Sequence, residues 1–323
     1  MGWWMVPAAA VAAWGALHLK SSRPDGQLLR VHPYRRILSF LEPRRNEAVV
    51  YFDDYIDVEA LEAYLPKARA RFPCDITPCV VAAIAIGLAT APKMNRFTAG
   101  YRLYERRGRF ITFSMKRKRL DKEAKVSAVK LEVKDGMTFR DLCEAVASKV
   151  SVERSEAKTY QDKELALLDA LPRPILYGAM GLVRTLDYYN LLPAAFIAND
   201  PLYTSVFYAN LGSLGMGAGY HHLYEYGTCP LFLMSGEIKE MPVVRDGQVV
   251  ARRMLHVRFS YDERIDDGLN ARFGIDAMRR VLEHPERYLG CLAEDGSDAR
   301  PLDRSVDEED ESVASAPPVA LSP

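Results

Sequence analysis

The chain has 323 residues, with 43 basic and 43 acidic side chains and a mean hydropathy of −0.15. Hydrophobic residues make up 49% of it, a composition that is typical of globular proteins and excludes a mainly disordered, fibrous or multi-span membrane protein. The balanced charge gives no indication of a nucleic-acid-binding protein, and at about 150 residues per domain the length allows two domains or one large α/β domain.

The amino-terminal segment, residues 2–19, contains no acidic or basic side chain apart from His18, and basic residues follow it from Lys20 onwards. Three interpretations stay open: a membrane anchor, a helix or arm that packs on the domain, and a disordered start. If the segment inserts, the positive charge on its carboxyl side holds the remaining chain in the cytoplasm. We therefore separate residues 1–30 as an apolar arm or membrane anchor. We expect a cytoplasmic protein, tethered to the inner face of the membrane if the arm inserts.

Strand-like and helix-like segments alternate along the middle of the chain. Hydrophobic patterning predicts strands at 48–56, 101–104, 110–113, 126–133, 205–210, 231–238 and 254–261. Helical spacing predicts helices at 58–72, 78–91, 138–150 and 269–283, the last with a buried side formed by Phe273, Met278, Val281 and Leu282. This mixture of elements indicates an α/β or α+β sandwich.

Two stretches of unusual composition lie within this region. Residues 101–125 carry ten basic side chains among aromatic ones, a pattern that fits single-stranded nucleic acid, acidic lipid headgroups or a solvated charged hairpin. We favour the hairpin and predict no nucleic-acid partner. Residues 171–197 are more apolar than a surface loop, and we interpret them first as a channel lining or trimer interface, and second as a contact with a membrane surface.

The carboxyl-terminal segment, residues 293–323, is predicted to be a disordered acidic tail. It holds nine acidic and two basic side chains, so the rest of the chain has 41 basic and 34 acidic ones. One-sign charge and low hydrophobicity cannot offset the entropy of ordering. The mildly basic body is expected to attract phosphate-bearing ligands or an anionic membrane, with the tail competing for that surface.

Several kinds of site are disfavoured by the motifs that the sequence lacks. The five cysteines are scattered without a CxxC pair, which argues against structural zinc or a disulfide framework and predicts ordinary thiols in a reducing compartment. No metal is predicted. Residues 212–219 are rich in glycine but lack the lysine of a phosphate-binding loop, and no GxSxG nucleophile motif is present.

The segment from Ser205 to Leu289 closely resembles the catalytic domain of the dihydrolipoyl acyltransferases of 2-oxoacid dehydrogenase complexes, which is of the chloramphenicol acetyltransferase-like superfamily. Four elements occur in the family's order: YANLG at 208–212, PVVRDG at 242–247, YDERIDDG at 261–268 and LEHPERYL at 282–289. A weaker similarity extends back to residue 31. The resemblance therefore predicts one domain over 31–292, a two-layer sandwich with a mixed sheet and covering helices.

The resemblance implies transfer of an acyl group between coenzyme A and an acceptor, in homotrimers whose active sites lie between two subunits. Glu263 stands where the family has its catalytic histidine, and Ala209 where it has a serine. Asp267 and Gly268 are retained, and the implied arginine partner of this aspartate is Arg35 or Arg36. The resemblance also assigns substrate contacts to Asn210, Gly212 and Ser213.

Three hypotheses about catalysis follow. Glu263 is a usable base if burial raises its pKa; His221 or His222 supplies the base instead; or catalysis is lost and the fold is a trimeric binding or scaffold protein. The predicted partners are acyl-CoA as co-substrate and an unidentified acceptor. The segment similar to the family includes no lipoyl-bearing domain, so no lipoyl group is expected on this chain, and we expect it not to be a standard subunit of a dehydrogenase complex.

Overall fold

The computed structural model describes residues 5–117, 126–155, 168–308 and 310. Residues 118–125 of the predicted basic hairpin lie outside the described residues. A six-stranded mixed sheet forms the centre of the molecule, in the order β2-β9-β8-β7-β5-β6. Its strands are β2 (Val49–Asp57), β5 (Arg109–Lys116), β6 (Val126–Val133), β7 (Val206–Asn210), β8 (Leu231–Arg245) and β9 (Gln248–Asp262). The β5–β7 and β7–β8 pairs are parallel and the others antiparallel.

One face of this sheet is covered by helices. They are α3 (Glu59–Arg69), α4 (Ile76–Thr90), α5 (Phe139–Arg154), α8 (Gly268–Glu283) and the short α9 (Pro285–Tyr288). Helix α4 is apolar nearly all round and is almost fully buried, and α5 begins at a capping box formed by Thr138 and Asp141. The predicted helices at 78–91 and 138–150 are therefore confirmed within a few residues.

Helices α4 and α8 pack closely because both carry a glycine at the contact. A Cβ on Gly87 would lie 3.0 Å from the carbonyl oxygen of Gly274. Met278, Val281 and Leu282 are buried as predicted, but Phe273 is 51% exposed. It precedes Gly274 by one residue, about 100° around the helix from the stripe that faces α4.

The hairpin of β8 and β9 is longer than the predicted strands, since each strand has 15 residues. Its tip is Asp246–Gly247, where both residues have positive φ, 50° and 77°. That is the two-residue turn favoured between twisted antiparallel strands. The hairpin carries exposed Val244 and Val249 beyond the edge of the helix layer.

A small second sheet was not predicted. It has the order β1-β4-β3 and consists of β1 (Gly26–Leu28), β3 (Arg96–Ala99) and β4 (Arg102–Arg106). Because residues 26–28 pair with 104–106, this part of the predicted arm belongs to the domain. The preceding helix α1 (Met5–Leu19) exposes Val11 and Trp14. Within the described part of the chain, no helix is long and apolar enough to cross a membrane.

The structure also differs from the predicted tail, because residues 293–308 pack on the domain. Leu302 and Val306 are buried, and Pro301 bridges to Thr138. Arg280 pairs with Asp307 and Asp310. Two apolar side chains and matching cations on α8 thus order a segment whose average composition suggests disorder; residues 311–323 lie outside the described residues.

Three remaining helices lie on the side of the small sheet: α2 (Pro33–Leu41), α6 (Arg173–Tyr188) and α7 (Ala194–Asn199). None of the described residues of α6 is buried. Its apolar side chains Ile175, Tyr177 and Leu182 are between 55% and 83% exposed, so no other described residue covers this part of α6.

Candidate functional site

The turn that follows β9 carries Glu263, whose side chain is exposed. Its amide donates to the carbonyl of Ala48, which fixes the backbone of the turn. The condition for the first catalytic hypothesis, a carboxylate buried among apolar groups, is therefore not met within one chain. The neighbours on either side, Asp262 and Arg264, are instead buried and paired with each other.

The two aspartates before Gly268 have different roles. The side chain of Asp266 is buried and forms ion pairs with Arg35 and Arg96. In each pair the nitrogen–oxygen distance is 3.2 Å. Asp267 is exposed and caps α8 by accepting from the amide of Asn270. The arginine contact expected for Asp267 is thus made by its neighbour.

Arg36, the other candidate for that contact, is exposed on α2. Gly268 is the first residue of α8, directly after the Asp267 cap.

Asn210, Gly212 and Ser213 are brought together on the wall of one large cavity. The cavity has a volume of about 830 Å³, which lies within the range of small-molecule sites, and it extends to the start of α4 and to α5. The amide of Asn210 donates to Thr77, and its oxygen accepts from the amide of Ser213. The predicted substrate contacts therefore share a preformed, hydrogen-bonded wall.

This cavity also contains thiols that the sequence did not single out as a site. Cys74 and Cys143 line it, and the sulfur of Cys74 lies 4.0 Å from that of buried Cys79. Hydrogen bonds from the thiols of Cys143 and Cys79 lower the pKa of Cys74. All five cysteines of the chain are free, and four of them are buried.

Glu263 and the Asn210 wall lie at opposite ends of the sheet. Asn210 pairs with Ser235, which pairs with Val257. Glu263 is six residues beyond Val257, about 20 Å along an extended strand. One chain therefore does not bring the two predicted halves of the site together.

Ala209 lies on the sheet face opposite the helices, in a row that continues through Met234 and Arg258 to Asp53. Its methyl group is 6% exposed and offers no hydrogen-bond donor. The loop that follows β7 crosses this face, and Arg258 donates to the carbonyl of Ala218 in that loop.

His221 and His222 lie in the same loop, near the Glu263 end. The ring of His221 stacks on Phe232 at 4.0 Å, and Ser260 donates to the His221 carbonyl. Each histidine has its Nδ1 within 3.0 Å of a backbone carbonyl, which only accepts hydrogen bonds. A tautomer with the proton on Nδ1 satisfies this contact and has its lone pair on Nε2. Burial lowers the pKa of His221, which favours the neutral ring.

A third histidine was missed by the sequence analysis. The Nε2 of His256 bonds to Asp53, and its ring stacks on Tyr55 at 4.4 Å. Burial by itself would raise the pKa of Asp53. Hydrogen bonds from His256 and Arg258 outweigh this effect and lower the pKa. The one sequence signal for this pair was the alternation of Tyr51, Asp53 and Tyr55 along β2. His256, the partner of Asp53, lies 203 residues further along the chain, so the signal did not identify it.

Among the described residues, no group of three or more His, Cys, Asp and Glu side chains is arranged to hold a metal ion. The arrangement therefore offers hydrogen-bond donors, thiols and imidazoles as its reactive groups.

Comparison with known families matches residues 207–290 to the 2-oxoacid dehydrogenases acyltransferase (catalytic domain). A succinyltransferase component of the 2-oxoglutarate dehydrogenase complex from Cupriavidus necator is 51% identical over 51 residues, 16% of this chain and 12% of that protein. A lipoamide acyltransferase component of the branched-chain complex from Pseudomonas putida is 48% identical over 46 residues, 14% of this chain and 11% of that protein. The chain thus matches about an eighth of the length of these relatives, and the resemblance to this family is confirmed for that segment.

The solved structures extend the likeness of the fold to most of the chain. A probable dihydrolipoamide acetyltransferase from Listeria monocytogenes has a TM-score of 0.51 at 14% identity, over 80% of this chain and 94% of that one. The dihydrolipoamide acetyltransferase of Azotobacter vinelandii has a TM-score of 0.51 at 17% identity, over 82% and 92%. The predicted sandwich with a mixed sheet and covering helices is confirmed, and its fold is similar to that of these two acetyltransferase structures.

Proposed function

We propose that this chain is an acyltransferase that moves an acyl group between coenzyme A and an unidentified acceptor. The observation that carries this proposal is the placement of Asn210, Gly212 and Ser213, within the family-matched segment, on the wall of the 830 Å³ cavity. Acyl-CoA is the co-substrate in this proposal.

The active unit in this proposal is a homotrimer. Glu263 lies about 20 Å from the Asn210 wall within one chain. His221 stacks on Phe232, about 10 Å along the strand from the partner of Asn210 and on the opposite face of the sheet, so a complete site needs the corresponding end of a second copy.

In this mechanism the Asn210 wall of one subunit holds the thioester. The base comes from the His221–His222 loop of a second subunit. The Nε2 lone pair of His222 takes the acceptor's proton, because an exposed carboxylate such as Glu263 is a weak base for a thiol or alcohol. The acceptor's oxygen, nitrogen or sulfur then bonds to the acyl carbon. The carbon–sulfur bond to coenzyme A breaks, and the leaving sulfur receives the proton.

The test is release of free coenzyme A thiol from acetyl-CoA and succinyl-CoA with dihydrolipoamide, amine and alcohol acceptors. His222→Gln is expected to lower kcat by about 10²- to 10⁴-fold. Glu263→Gln is expected to have a smaller effect, and His284→Gln, at the exposed carboxyl-terminal cap of α8, is the matched control. Saturable release that is indifferent to both His222→Gln and Glu263→Gln would show that the base is elsewhere.

A second candidate function is supported by the loss of both family groups at Ala209 and Glu263. In this alternative the trimer binds acyl-CoA or serves as a scaffold without turnover. Calorimetric titration with coenzyme A distinguishes the two, since binding without release across the acceptor panel favours the scaffold. No binding at all contradicts both.

We further propose that the protein is cytoplasmic and that residues 2–19 hold it at the inner face of the membrane. Helix α1 supports this, because its described apolar side chains are mostly exposed. Fractionation of cells after a carbonate wash tests the contact; a fully soluble full-length chain contradicts it.

A further inference from the structure

A cavity of about 610 Å³ opens beside helix α1, on the side of the molecule away from the Asn210 wall. Four guanidinium groups line it, from Arg30, Arg35, Arg36 and Arg102. Among the described residues, its lining includes no aspartate or glutamate. The cavity therefore has the charge of an anion-binding site.

Two of these arginines already have partners in the domain. Arg35 pairs with Asp266 at 3.2 Å, and Arg102 donates to the carbonyl of His18, at the end of α1. Arg30 and Arg36 are exposed at the cavity. Planar guanidinium groups bind phosphate oxygens through paired hydrogen bonds, so these two are suited to a phosphate.

Aromatic rings link three helices beside this cavity. The ring centroids of Trp14 and His18 are 4.3 Å apart, and those of His18 and Tyr188 of α6 are 6.1 Å apart. The rings of Tyr188 and Tyr101 have centroids 6.0 Å apart, and Tyr101 stacks on Phe40 of α2 at 4.8 Å. The chain of rings thus joins α1, α6 and α2.

Large apolar side chains are exposed on the same three helices. Trp14, Ile37, Phe40 and Leu41 are between 55% and 71% exposed, as are Ile175 and Leu182 on α6, while Tyr177 reaches 83%. Several large exposed apolar side chains beside one cavity indicate an interaction site. Amphipathic rings beside basic side chains are the composition of segments that lie at the surface of a bilayer.

We infer that this face docks on an anionic membrane, with the phosphate of a lipid headgroup in the arginine-lined cavity. The inference deepens the proposed membrane contact of residues 2–19 and rests on it, but it assigns the lipid selectivity to Arg30 and Arg36. Charge complementarity favours this occupant over a second copy of the chain. A symmetric contact between two copies would set arginines against arginines.

Co-sedimentation of the full-length chain with vesicles tests the inference. Vesicles of phosphatidylcholine alone are compared with vesicles in which roughly 30% of the lipid is phosphatidylglycerol. Wild type is expected to bind the anionic vesicles on the order of 10-fold more tightly, and Arg30→Gln/Arg36→Gln is expected to remove that preference. Arg71→Gln/Arg304→Gln, which removes the same charge from exposed positions outside the cavity, is expected to retain it.

Each other outcome has a defined meaning. Equal binding of the Arg30→Gln/Arg36→Gln variant and wild type to anionic vesicles overturns the headgroup site while leaving the membrane contact intact. Absence of wild-type binding to either vesicle overturns both, independently of acyl transfer, which is measured without lipid. A change in oligomeric mass of this variant, with vesicle binding unchanged, assigns the face to a subunit interface. Competition by glycerol 3-phosphate, without any vesicle binding, assigns the cavity to a soluble phosphate.

Discussion

Arg264 and Asp262 form a buried, two-pronged ion pair at the end of β9, with two hydrogen bonds of 2.8 Å. Asp262 is fully buried and Arg264 is 5% exposed. Arg264 also donates to the carbonyls of Glu42 and Pro43, so the pair ties the Glu263 turn to the segment after α2. Glu263 is exposed because its two neighbours hold the turn from beneath.

Asp262→Asn is expected to lower the free energy of unfolding by about 3 to 5 kcal/mol, because it leaves the Arg264 charge buried without a counter-ion. Urea denaturation measures the change. Asp276→Asn, at an exposed ion pair with Arg272, serves as the control and is expected to cost less than about 1 kcal/mol. A loss of similar size in both variants would show that the buried pair has no special role.

Lys130 provides a prediction about pH. Its ammonium donates to the carbonyls of Ile197 and Asp200, yet burial lowers the pKa of Lys130 to about 8. Between pH 8 and about 10.4 the unfolded chain keeps this proton and the folded chain has lost it, so stability rises with pH in that window.

The free energy of unfolding of wild type, relative to Lys130→Met, is therefore expected to increase by roughly 2 to 3 kcal/mol from pH 8 to pH 10.4. Denaturant titrations at several pH values measure it, with the exposed Lys93→Met as the control. A difference that is constant over this range contradicts the lowered pKa.

Cys74 is expected to be the first cysteine alkylated by iodoacetamide. It is half-buried at the large cavity, and hydrogen bonds from Cys143 and Cys79 lower its pKa to about 4. Burial raises the pKa of Cys229 to about 11. Since the thiolate is the reactive form, the rate at Cys74 should change little between about pH 6 and 8.

Peptide mass mapping after timed alkylation identifies the modified residue, and Cys74→Ser should remove the fast phase. A rate that rises about tenfold per pH unit over this range would indicate an ordinary thiol instead.

The elements that local signals define were predictable from the sequence. Helix α4 follows from an unbroken apolar run, and α5 from a Thr138 cap before helical spacing. The small sheet was not predictable in this way, because β1 has three residues and its partner β4 begins about 75 positions later. Only the tertiary fold decides such pairings.

The candidate site shows the same division. Asn210 and Ser213, which the resemblance assigned to substrate contacts, line one cavity, and their role there stays a prediction. Composition could not show which of two adjacent carboxylates, Asp266 or Asp267, would meet arginine, since packing around each one decides it. The Asp53–His256 pair depends on strand register, which no local pattern fixes across so long a separation.

Ala209→Ser tests on which face of the sheet the acyl group reacts. Ala209 lies next to Met234 on the face opposite the helices, whereas Asn210, the next residue, points to the cavity beside α4 and α5. In the proposed mechanism the thioester lies in that cavity, so a hydroxyl at position 209 does not reach the oxyanion. We therefore expect kcat for coenzyme A release to change by less than about twofold, although an oxyanion donor in contact is worth about 10²- to 10³-fold. Ala209→Cys, which adds a side chain of similar bulk but a weaker donor, separates the hydroxyl from the added volume. A rise of at least about tenfold in Ala209→Ser alone would place the reacting carbonyl on the Ala209 face and contradict the proposed position of the thioester.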